Sequence, residues 1–328
     1  MKILIAGLGS IGQRHARNLR ALLGASVDLI AYRTRGLPHV ITESMTLEEG
    51  DVEERYGIRA HDHLPRALAE QPAATIICNP SSLHLEVARE ALDAGSHVLI
   101  EKPLSHSWDD VEPLIEVADR RQLVAAVAYQ MRFHPELHRV RESLCGHAIG
   151  EIRSVRAVWH EYLPEAHPYE DYRQSYAARA GLGGGVLRCF IHEFDYLYWL
   201  FGLPVDVSTA GGNTGALDID VEDTAFTRMQ YNIGGRSVPV DVDLSFAKRE
   251  RIRTLDITGD RGSIRVDFNA PLPGFDRNQL FLDELRDFLS ALAGDHAPAV
   301  PIRHGAQSLR MALAARESMH TGRPVSLQ

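Results

Sequence analysis

Apolar segments alternate with amphipathic segments over about the first 120 residues of the chain. The apolar runs predict strands at 2–6, 27–32, 75–78, 97–100 and 123–128. The amphipathic segments predict helices at 13–23, 51–56, 64–70, 83–94 and 108–121. Such alternation is typical of an α/β domain with a doubly wound parallel sheet.

From about residue 150 the chain changes to longer segments in which apolar and polar positions alternate one by one. This alternation at 238–246 and 263–268 predicts strands with one buried face, and a glycine turn joins the second to a strand at 253–258. Helical spacing predicts helices near 281–292 and 304–320. We therefore expect one domain at 1–122 and an α+β domain with a large, mostly antiparallel sheet at 123–328.

The composition is that of a globular protein and narrows the classes of partner. Apolar residues make up 45%, charged residues 24%, and the formal charge of −9 argues against a nucleic acid partner. Three cysteines without a C-x-x-C pair are typical of a reducing compartment. We find no signal peptide pattern and no apolar run near the ~20 residues that span a bilayer. We expect a cytoplasmic protein without a membrane partner.

A glycine-rich string follows the first predicted strand. The residues that fit G-x-G-x-x-G at 7–12 include five candidates for binding a dinucleotide: Gly7, Gly9, Ser10, Ile11 and Gly12. In this motif the glycines permit a tight turn, a close approach of the pyrophosphate, and packing of the next helix on the strand. The N-terminus of that helix attracts phosphate. Since the string lies between a strand and a helix, we interpret it as a Rossmann dinucleotide site rather than an ordinary turn.

The end of the second predicted strand bears on the choice of cofactor. A carboxylate at this place binds the adenosine ribose 2′-hydroxyl of NAD, but the chain reads Arg33-Thr34-Arg35 here. Guanidinium groups accept a 2′-phosphate through charge-assisted bonds. We therefore predict NADP as the preferred cofactor, or else NAD. The alternative is that both arginines are solvated loop residues.

Further short motifs occur along the chain in a fixed order. They are GLGSIGQRHARNL at 7–19, CNP at 78–80 with His84, EKPLS at 101–105, YQMRF at 129–133, the glycine run 183–185 before His192, and AARESMHTGRPV at 314–325. Over nearly the whole chain this ordered set resembles the Gfo/Idh/MocA oxidoreductases, which include glucose–fructose oxidoreductase and inositol dehydrogenase. The segment 175–202 is similar to a subgroup associated with surface-polysaccharide and unusual-sugar pathways.

The resemblance implies hydride transfer between a nicotinamide cofactor and a secondary alcohol or ketone of a sugar, cyclitol or nucleotide-linked sugar. It also implies a homodimer or homotetramer that assembles through the C-terminal sheet. Two alternatives remain open. One is a lyase or glycosidase that uses transient oxidation by bound NAD, and the other is a non-catalytic protein that binds the cofactor or a sugar.

Lys102 is the first candidate for catalysis, because it follows a predicted strand at the carboxyl edge of the sheet. There a lysine can hydrogen-bond the reacting hydroxyl and stabilise a developing alkoxide, as the matching lysine of the family does. Glu101 is expected to orient Lys102 or to line the cofactor site. By resemblance, the other cofactor contacts are Asn79, Pro80, His84 and Gln130, although His84 could equally be a structural residue that caps its helix.

His192 is the candidate for proton transfer, since imidazole titrates near neutral pH. It lies on a helix predicted at 186–201. Many family members have an aspartate four residues before this histidine, whereas this chain has Arg188. A guanidinium cannot act as a base, but it can bind a carboxylate or phosphate of the substrate. Asp195, three residues after His192, could orient the imidazole or contact the substrate.

The segment 159–176 combines aromatic and polar side chains, as a sugar site does, although a surface loop with packed aromatic residues would look the same. The predicted substrate contacts are Arg132, Tyr162, Arg173, Arg188 and Asp195. Arg132 could equally belong to a structural ion pair. We predict no metal site, because the pair His134 and His138 lacks a third ligand.

Overall fold

The computed structural model describes residues 1–36 and 39–327. The chain forms two compact units, the first from Met1–Gln130 with Asp276–Ala306, and the second from Met131–Phe275 with the residues from Gln307 onward. The predicted division after residue 122 differs from these units in two respects. The strand after residue 122 pairs within the first sheet, and a late helix returns to the first core, where Leu285 and Phe288 are buried.

The strands of the described chain agree closely with the predicted apolar runs. They are β1 (Lys2–Ala6), β2 (Asp28–Tyr32), β3 (His39–Ile41), β4 (Leu47–Glu49), β5 (Ile58–His61), β6 (Ala74–Ile77), β7 (His97–Glu101), β8 (Ala125–Ala128), β9 (Ile152–Tyr162), β10 (Asp206–Gly212), β11 (Thr224–Ile233), β12 (Arg236–Ser245), β13 (Ala247–Gly259), β14 (Ser263–Asp267) and β15 (Val325–Ser326). The sequence patterns predicted no individual strand at the positions of β3, β4, β5, β9, β10, β11 and β15.

The helices of the described chain are α1 (Ser10–Leu23), α2 (Val52–Tyr56), α3 (Leu64–Leu68), α4 (His84–Asp93), α5 (Val111–Arg121), α6 (Pro135–Cys145), α7 (Leu163–Ala166), α8 (Val186–Cys189), α9 (His192–Phe201), α10 (Arg277–Ala293) and α11 (Ile302–Thr321). Across residues 1–36 and 39–327, none is both long and apolar enough to cross a membrane.

The first unit contains a six-stranded parallel sheet in the order β5-β2-β1-β6-β7-β8. Its strands are apolar on both faces because helices cover both, and Ile3, Ile5, Leu29 and Ile76 are almost fully buried. The expected doubly wound fold is confirmed. The sheet brings the ends of β1, β2, β6 and β7 to one edge, which is where ligands bind in this fold.

The second unit contains a seven-stranded sheet in the order β14-β13-β9-β12-β11-β10-β15. Only β9 and β12 pair in parallel, so the expected mostly antiparallel sheet is confirmed. In β12, Val238, Val240, Val242 and Leu244 are buried, whereas the positions between them are partly exposed, as the alternation predicts.

Candidate active site

The glycine loop between β1 and α1 has the geometry of a phosphate cradle. Gly7 has φ +100°, and its N–H donates to the carbonyl of Tyr32 at 2.8 Å. A Cβ at Gly12 would lie 1.9 Å from the Gly7 oxygen, so only glycine permits this contact between helix and turn. A Cβ at Gly9 would meet no atom within 4 Å. The loop therefore leaves room beside Gly9 and the N-terminus of α1, and it fits the pyrophosphate of a dinucleotide.

The side chain of Gln13 holds this loop in place, a role that sequence analysis missed. Its Nε2 donates to the carbonyls of Leu8 at 3.2 Å and His39 at 3.3 Å, while its Oε1 accepts from the N–H of Ile41 at 2.7 Å. Gln13 is fully buried. A polar residue on the inner face of a helix is the signal that could have identified it, because buried amides require partners.

Lys102 directly follows β7. The residue before it, Glu101, forms a buried pair with His15. His15 Nε2 on α1 lies 2.9 Å from Glu101 Oε1, and Glu101 Oε2 accepts from the Lys102 N–H at 3.2 Å. His15 is fully buried, Glu101 is buried and Lys102 is half-buried, with a cis peptide bond to Pro103. The Glu101 carboxylate therefore links α1 to the backbone that carries Lys102.

His84 lies between two backbone carbonyls at the same edge of the sheet. Its Nδ1 is 2.9 Å from the Pro103 oxygen and its Nε2 is 2.8 Å from the Asn79 oxygen. Burial lowers the pKa of His84, while the hydrogen bonds to the Asn79 and Pro103 carbonyls oppose this change. These contacts support the structural alternative for His84, which links the turn after β6 to the turn after β7.

The other predicted cofactor contacts in the first unit follow strand ends. Asn79 and Pro80 follow β6 and are half-buried, and Asn79 Oδ1 is a buried acceptor with no hydrogen-bond partner among the described residues. A ligand that donates a hydrogen bond would satisfy it. Gln130 is buried just beyond β8. After β2, Arg33 Nη1 lies 3.4 Å from Glu53 Oε1, while Thr34 and Arg35 are exposed.

In the second unit, the helix predicted at 186–201 is wrong as a single element. It is divided into α8 and α9 by a turn at Phe190 and Ile191. Arg188 on α8 is buried and donates from Nη2 to the Gly184 carbonyl. Burial lowers the pKa of Arg188, while the charge of Glu222 opposes this change.

His192 is the first residue of α9 and is buried within an aromatic group. The Trp159 ring lies 6.2 Å from the imidazole at an interplanar angle of 27°, and it stacks on Phe190 at 3.8 Å. On β13, Arg253 lies with Cζ 3.7 Å from the centre of the Trp159 ring. The imidazole of His192 thus lies at a small angle to the Trp159 ring within this group.

Arg132 and Asp195, both predicted as substrate contacts, bind each other. Asp195 accepts from Arg132 Nε at 2.9 Å and Nη2 at 2.7 Å, and from Ser308 Oγ at 2.8 Å. Both members of the pair are buried. The ion pair that the sequence left open as an alternative for Arg132 is thus present in the structure.

A second buried pair was not predicted. Glu193 accepts from Arg253 Nε at 2.8 Å and Nη2 at 3.3 Å, and Glu193 is fully buried. Two acidic residues within the otherwise apolar sequence of α9 are a signal for buried cationic partners, because unpaired buried charges are very costly.

The segment 159–176 is only partly the loop that the sequence suggested. Its first four residues belong to β9, and Trp159 is buried. Tyr162 ends that strand, and the Arg249 guanidinium carbon lies 4.2 Å from the centre of its ring. Arg173 is exposed and forms an ion pair with Asp171 at 2.9 Å. Both side chains are therefore already engaged by neighbours on the surface of the second unit.

Comparison with known proteins places these features in a family. A model described as "Oxidoreductase family, NAD-binding Rossmann fold" matches residues 1–129, and a model of the GFO/IDH/MocA C-terminal domain matches residues 137–265. The chain belongs to the Gfo/Idh/MocA oxidoreductase family. The resemblance inferred from the ordered motifs is confirmed, and residues 1–129 match the NAD-binding Rossmann fold of this oxidoreductase family.

Two named relatives extend over most of the chain. UDP-N-acetylglucosamine 3-dehydrogenase from Acidithiobacillus ferrooxidans is 30% identical over 91% of this chain and 90% of its own length. Myo-inositol 2-dehydrogenase from Thermotoga maritima is 26% identical over 100% of this chain and 99% of its own length. Among solved structures, the WlbA dehydrogenase from Bordetella pertussis, in complex with NADH and UDP-GlcNAcA, has a TM-score of 0.84 at 22% identity. That structure covers 100% of this chain and 98% of its own, and it shows the shared fold.

Proposed function

We propose that this Gfo/Idh/MocA protein is a dehydrogenase or reductase that acts on a secondary alcohol or ketone of a sugar, cyclitol or nucleotide-linked sugar. The observation that carries the proposal is the position of Lys102 at the end of β7, with its backbone held by Glu101 and His15. The names of the relatives, which act on inositol and on UDP-N-acetylglucosamine, support this class of substrate. When bound, the nicotinamide supplies the hydride acceptor or donor.

In this proposal Lys102 acts on the substrate oxygen. Its ammonium group donates a hydrogen bond to the hydroxyl and stabilises the negative charge that develops on that oxygen as the C–H bond breaks. Such stabilisation is strongest when the donor is already oriented. The buried contact between His15 and Glu101 fixes the backbone from which this side chain extends, because Glu101 Oε2 accepts from the Lys102 backbone N–H.

His192 takes the proton of the substrate hydroxyl, or returns it in the reverse direction. Imidazole is suited to this role because its ordinary pKa lies near neutral pH. Arg188 stands where many family members have an aspartate, and it cannot serve as a base. We assign proton transfer to His192 alone, with its ring oriented by the stacking of Trp159.

For the cofactor, we propose that NADP is preferred over NAD. Arg33, Thr34 and Arg35 follow β2, where a Rossmann domain binds the adenosine ribose, and they offer two guanidinium groups and a hydroxyl. For assembly, we propose a homodimer or homotetramer formed through the seven-stranded sheet, on which Phe226 of β11 is 40% exposed. A mass measurement in solution tests the assembly.

The function is tested by Lys102→Ala, with Lys248→Ala as the matched control, because Lys248 is an exposed lysine on β13. Turnover on a panel of sugars, cyclitols and nucleotide-linked sugars is measured beside NADPH and NADH affinity. We expect turnover of Lys102→Ala to fall about 100-fold or more, with cofactor affinity retained, as for loss of one charge-stabilising donor.

Unchanged turnover of Lys102→Ala would remove the role assigned to this residue. Bond cleavage without accumulation of reduced nicotinamide would instead indicate a lyase or glycosidase that oxidises its substrate transiently. Cofactor binding without turnover on any member of the panel would favour the non-catalytic alternative.

A further inference from the structure

A carboxylate from another part of the first unit lies beside the arginine that follows β2. Glu53 on α2 approaches Arg33, with Oε1 3.4 Å from Nη1. The Arg33 N–H donates to the carbonyl of His61 at 3.0 Å, and a Cβ at Gly36 would lie 3.2 Å from Arg33 Nη2. Only 17% of the Arg33 side chain is exposed. The guanidinium is therefore held between the turn after β2 and the start of α2.

This pair lines a cavity at the carboxyl ends of β2 and β5. The cavity has a volume of about 390 Å³ and is lined by Arg33, Glu53, Ala60, His61, Asp62 and Arg66. The other basic side chains of the lining also have carboxylate partners, since His61 lies 2.6 Å from Glu70 and Arg66 lies 3.8 Å from Asp62. The cavity therefore has no large excess of positive charge. An anion that enters it can bind Arg33 fully only if the Glu53 carboxylate gives up its contact with that guanidinium.

Local stability does not explain Glu53. Asp51 is the N-cap of α2, where its carboxylate accepts from the N–H groups of Glu53 and Glu54. The Glu53 side chain is 36% exposed, and ion pairs at such exposure add little to the stability of a fold. Its contact with Arg33 lies where a Rossmann domain binds the adenosine ribose, and there a carboxylate binds the 2′-hydroxyl of NAD.

We propose that Glu53 limits the preference for NADP by competing with the 2′-phosphate for Arg33. Its carboxylate accepts a hydrogen bond from the 2′-hydroxyl of NAD but repels a phosphate dianion at the same place. The proposal rests on the proposed function in one respect, namely that the adenosine ribose lies beside Arg33. In a Rossmann domain a carboxylate at the end of the second strand binds the adenosine ribose 2′-hydroxyl, but this chain has none there. Under the proposal Glu53, some 20 positions after β2, takes this role.

The test is a fluorescence titration of the full chain with NADPH and with NADH, performed on Glu53→Gln, on the matched control Glu54→Gln, and on Arg33→Gln. Glu54 is the exposed neighbour on the same helix. For Glu53→Gln we expect the ratio of affinities to shift about tenfold or more towards NADPH, because one like charge is removed beside the phosphate. Glu54→Gln should leave the ratio within about twofold, since the ion pair of Arg33 is with Glu53 and an exposed charge outside that pair is screened.

Arg33→Gln separates the two possible failures. We expect this substitution to weaken the binding of NADPH much more than the binding of NADH. If it does so while Glu53→Gln leaves the ratio unchanged, the role of Glu53 is overturned and the proposed cofactor position stands. If Arg33→Gln changes neither affinity, the adenosine ribose does not lie beside Arg33, and both the inference and the proposed NADP contact fail.

Discussion

Arg132 and Asp195 form a two-point ion pair within the second unit, with Nε–Oδ2 and Nη2–Oδ1 distances of 2.9 and 2.7 Å. Both side chains are buried, and Ser308 donates a further hydrogen bond to the same carboxylate. Charged groups in such surroundings lose much hydration, and they remain stable only because their partners replace it. The pair joins the turn after β8 to the helix that carries His192.

We predict that Arg132→Met lowers the free energy of unfolding by about 3–5 kcal/mol, because it leaves the Asp195 carboxylate buried without its cation. Urea denaturation measures the change. Arg228 and Asp241 provide the control, since they form a two-point pair of similar length (2.7 and 2.9 Å) on an exposed face. Arg228→Met should cost at most about 1 kcal/mol. Equal costs for both variants would contradict this account of burial.

The glycine loop allows cofactor binding to be separated from folding. Gly9→Ala should leave the unfolding free energy nearly unchanged, because its Cβ would meet no protein atom within 4 Å and φ is already −73°. The substitution should strongly weaken the binding of NADH and NADPH, since the methyl group occupies the space proposed for the pyrophosphate. Gly12→Ala should instead destabilise the protein by about 1–3 kcal/mol, because its Cβ would lie 1.9 Å from the Gly7 oxygen.

Thermal unfolding and fluorescence titration of both variants test this separation. Retained cofactor affinity in a stably folded Gly9→Ala would mean that the dinucleotide does not approach this part of the loop.

The sequence predicts the elements whose signal is local. Strands such as β1 and β7 are short apolar runs between turn residues, and their order is enough to predict a parallel sheet. The hairpin of β3 and β4 has no such signal, because β4 is exposed along its whole length. The turn between α8 and α9 contains no glycine or proline, so the amphipathic pattern continues through it and predicts one helix.

The candidate site is predictable in residue type but not in pairing. Lys102 and His192 stand out because their motifs place them after a strand and after a glycine run. The partners of Asp195 cannot be read in this way, since Arg132 is 63 residues distant in the chain and Ser308 is 113 residues distant. Glu53 was missed for the same reason, because its contact with Arg33 depends on how α2 packs against β5, the neighbour of β2 in the sheet.

The contact between His15 and Glu101 should be needed for catalysis more than for cofactor binding. His15→Leu leaves the Glu101 carboxylate without its buried partner, and we expect a loss of about 1–3 kcal/mol in stability. Because Glu101 also accepts from the Lys102 N–H, kcat should fall while the KM for cofactor changes little. His15→Gln retains an N–H donor and should recover part of kcat. Identical kinetics for the leucine and glutamine variants would show that the contact does not orient Lys102.

Acid sensitivity should arise partly from His134, the N-cap of α6. Its Nδ1 accepts from the Glu136 N–H at 3.2 Å, which requires an unprotonated nitrogen. Burial, followed by the charges of Arg253 and His138, lowers the pKa of His134 from 6.5 to about 4. Between these values the unfolded chain binds more protons than the folded chain, so the stabilising contribution is present above pH 6.5 and is lost as the pH falls towards 4.

We therefore expect His134→Asn, which keeps an acceptor for the cap but does not titrate, to flatten the fall in unfolding free energy over this pH range. The pH-dependent changes in unfolding free energy of the variant and of the unmodified chain should differ by at most about 3 kcal/mol. Each unit of pKa corresponds to about 1.4 kcal/mol. His296→Asn is the control, since its ring is partly exposed and lies in the other unit. Urea denaturation at a series of pH values between pH 4 and pH 7 gives the slope of the unfolding free energy against pH for each protein. Equal slopes for His134→Asn and the unmodified chain would show that folding does not lower the pKa of His134.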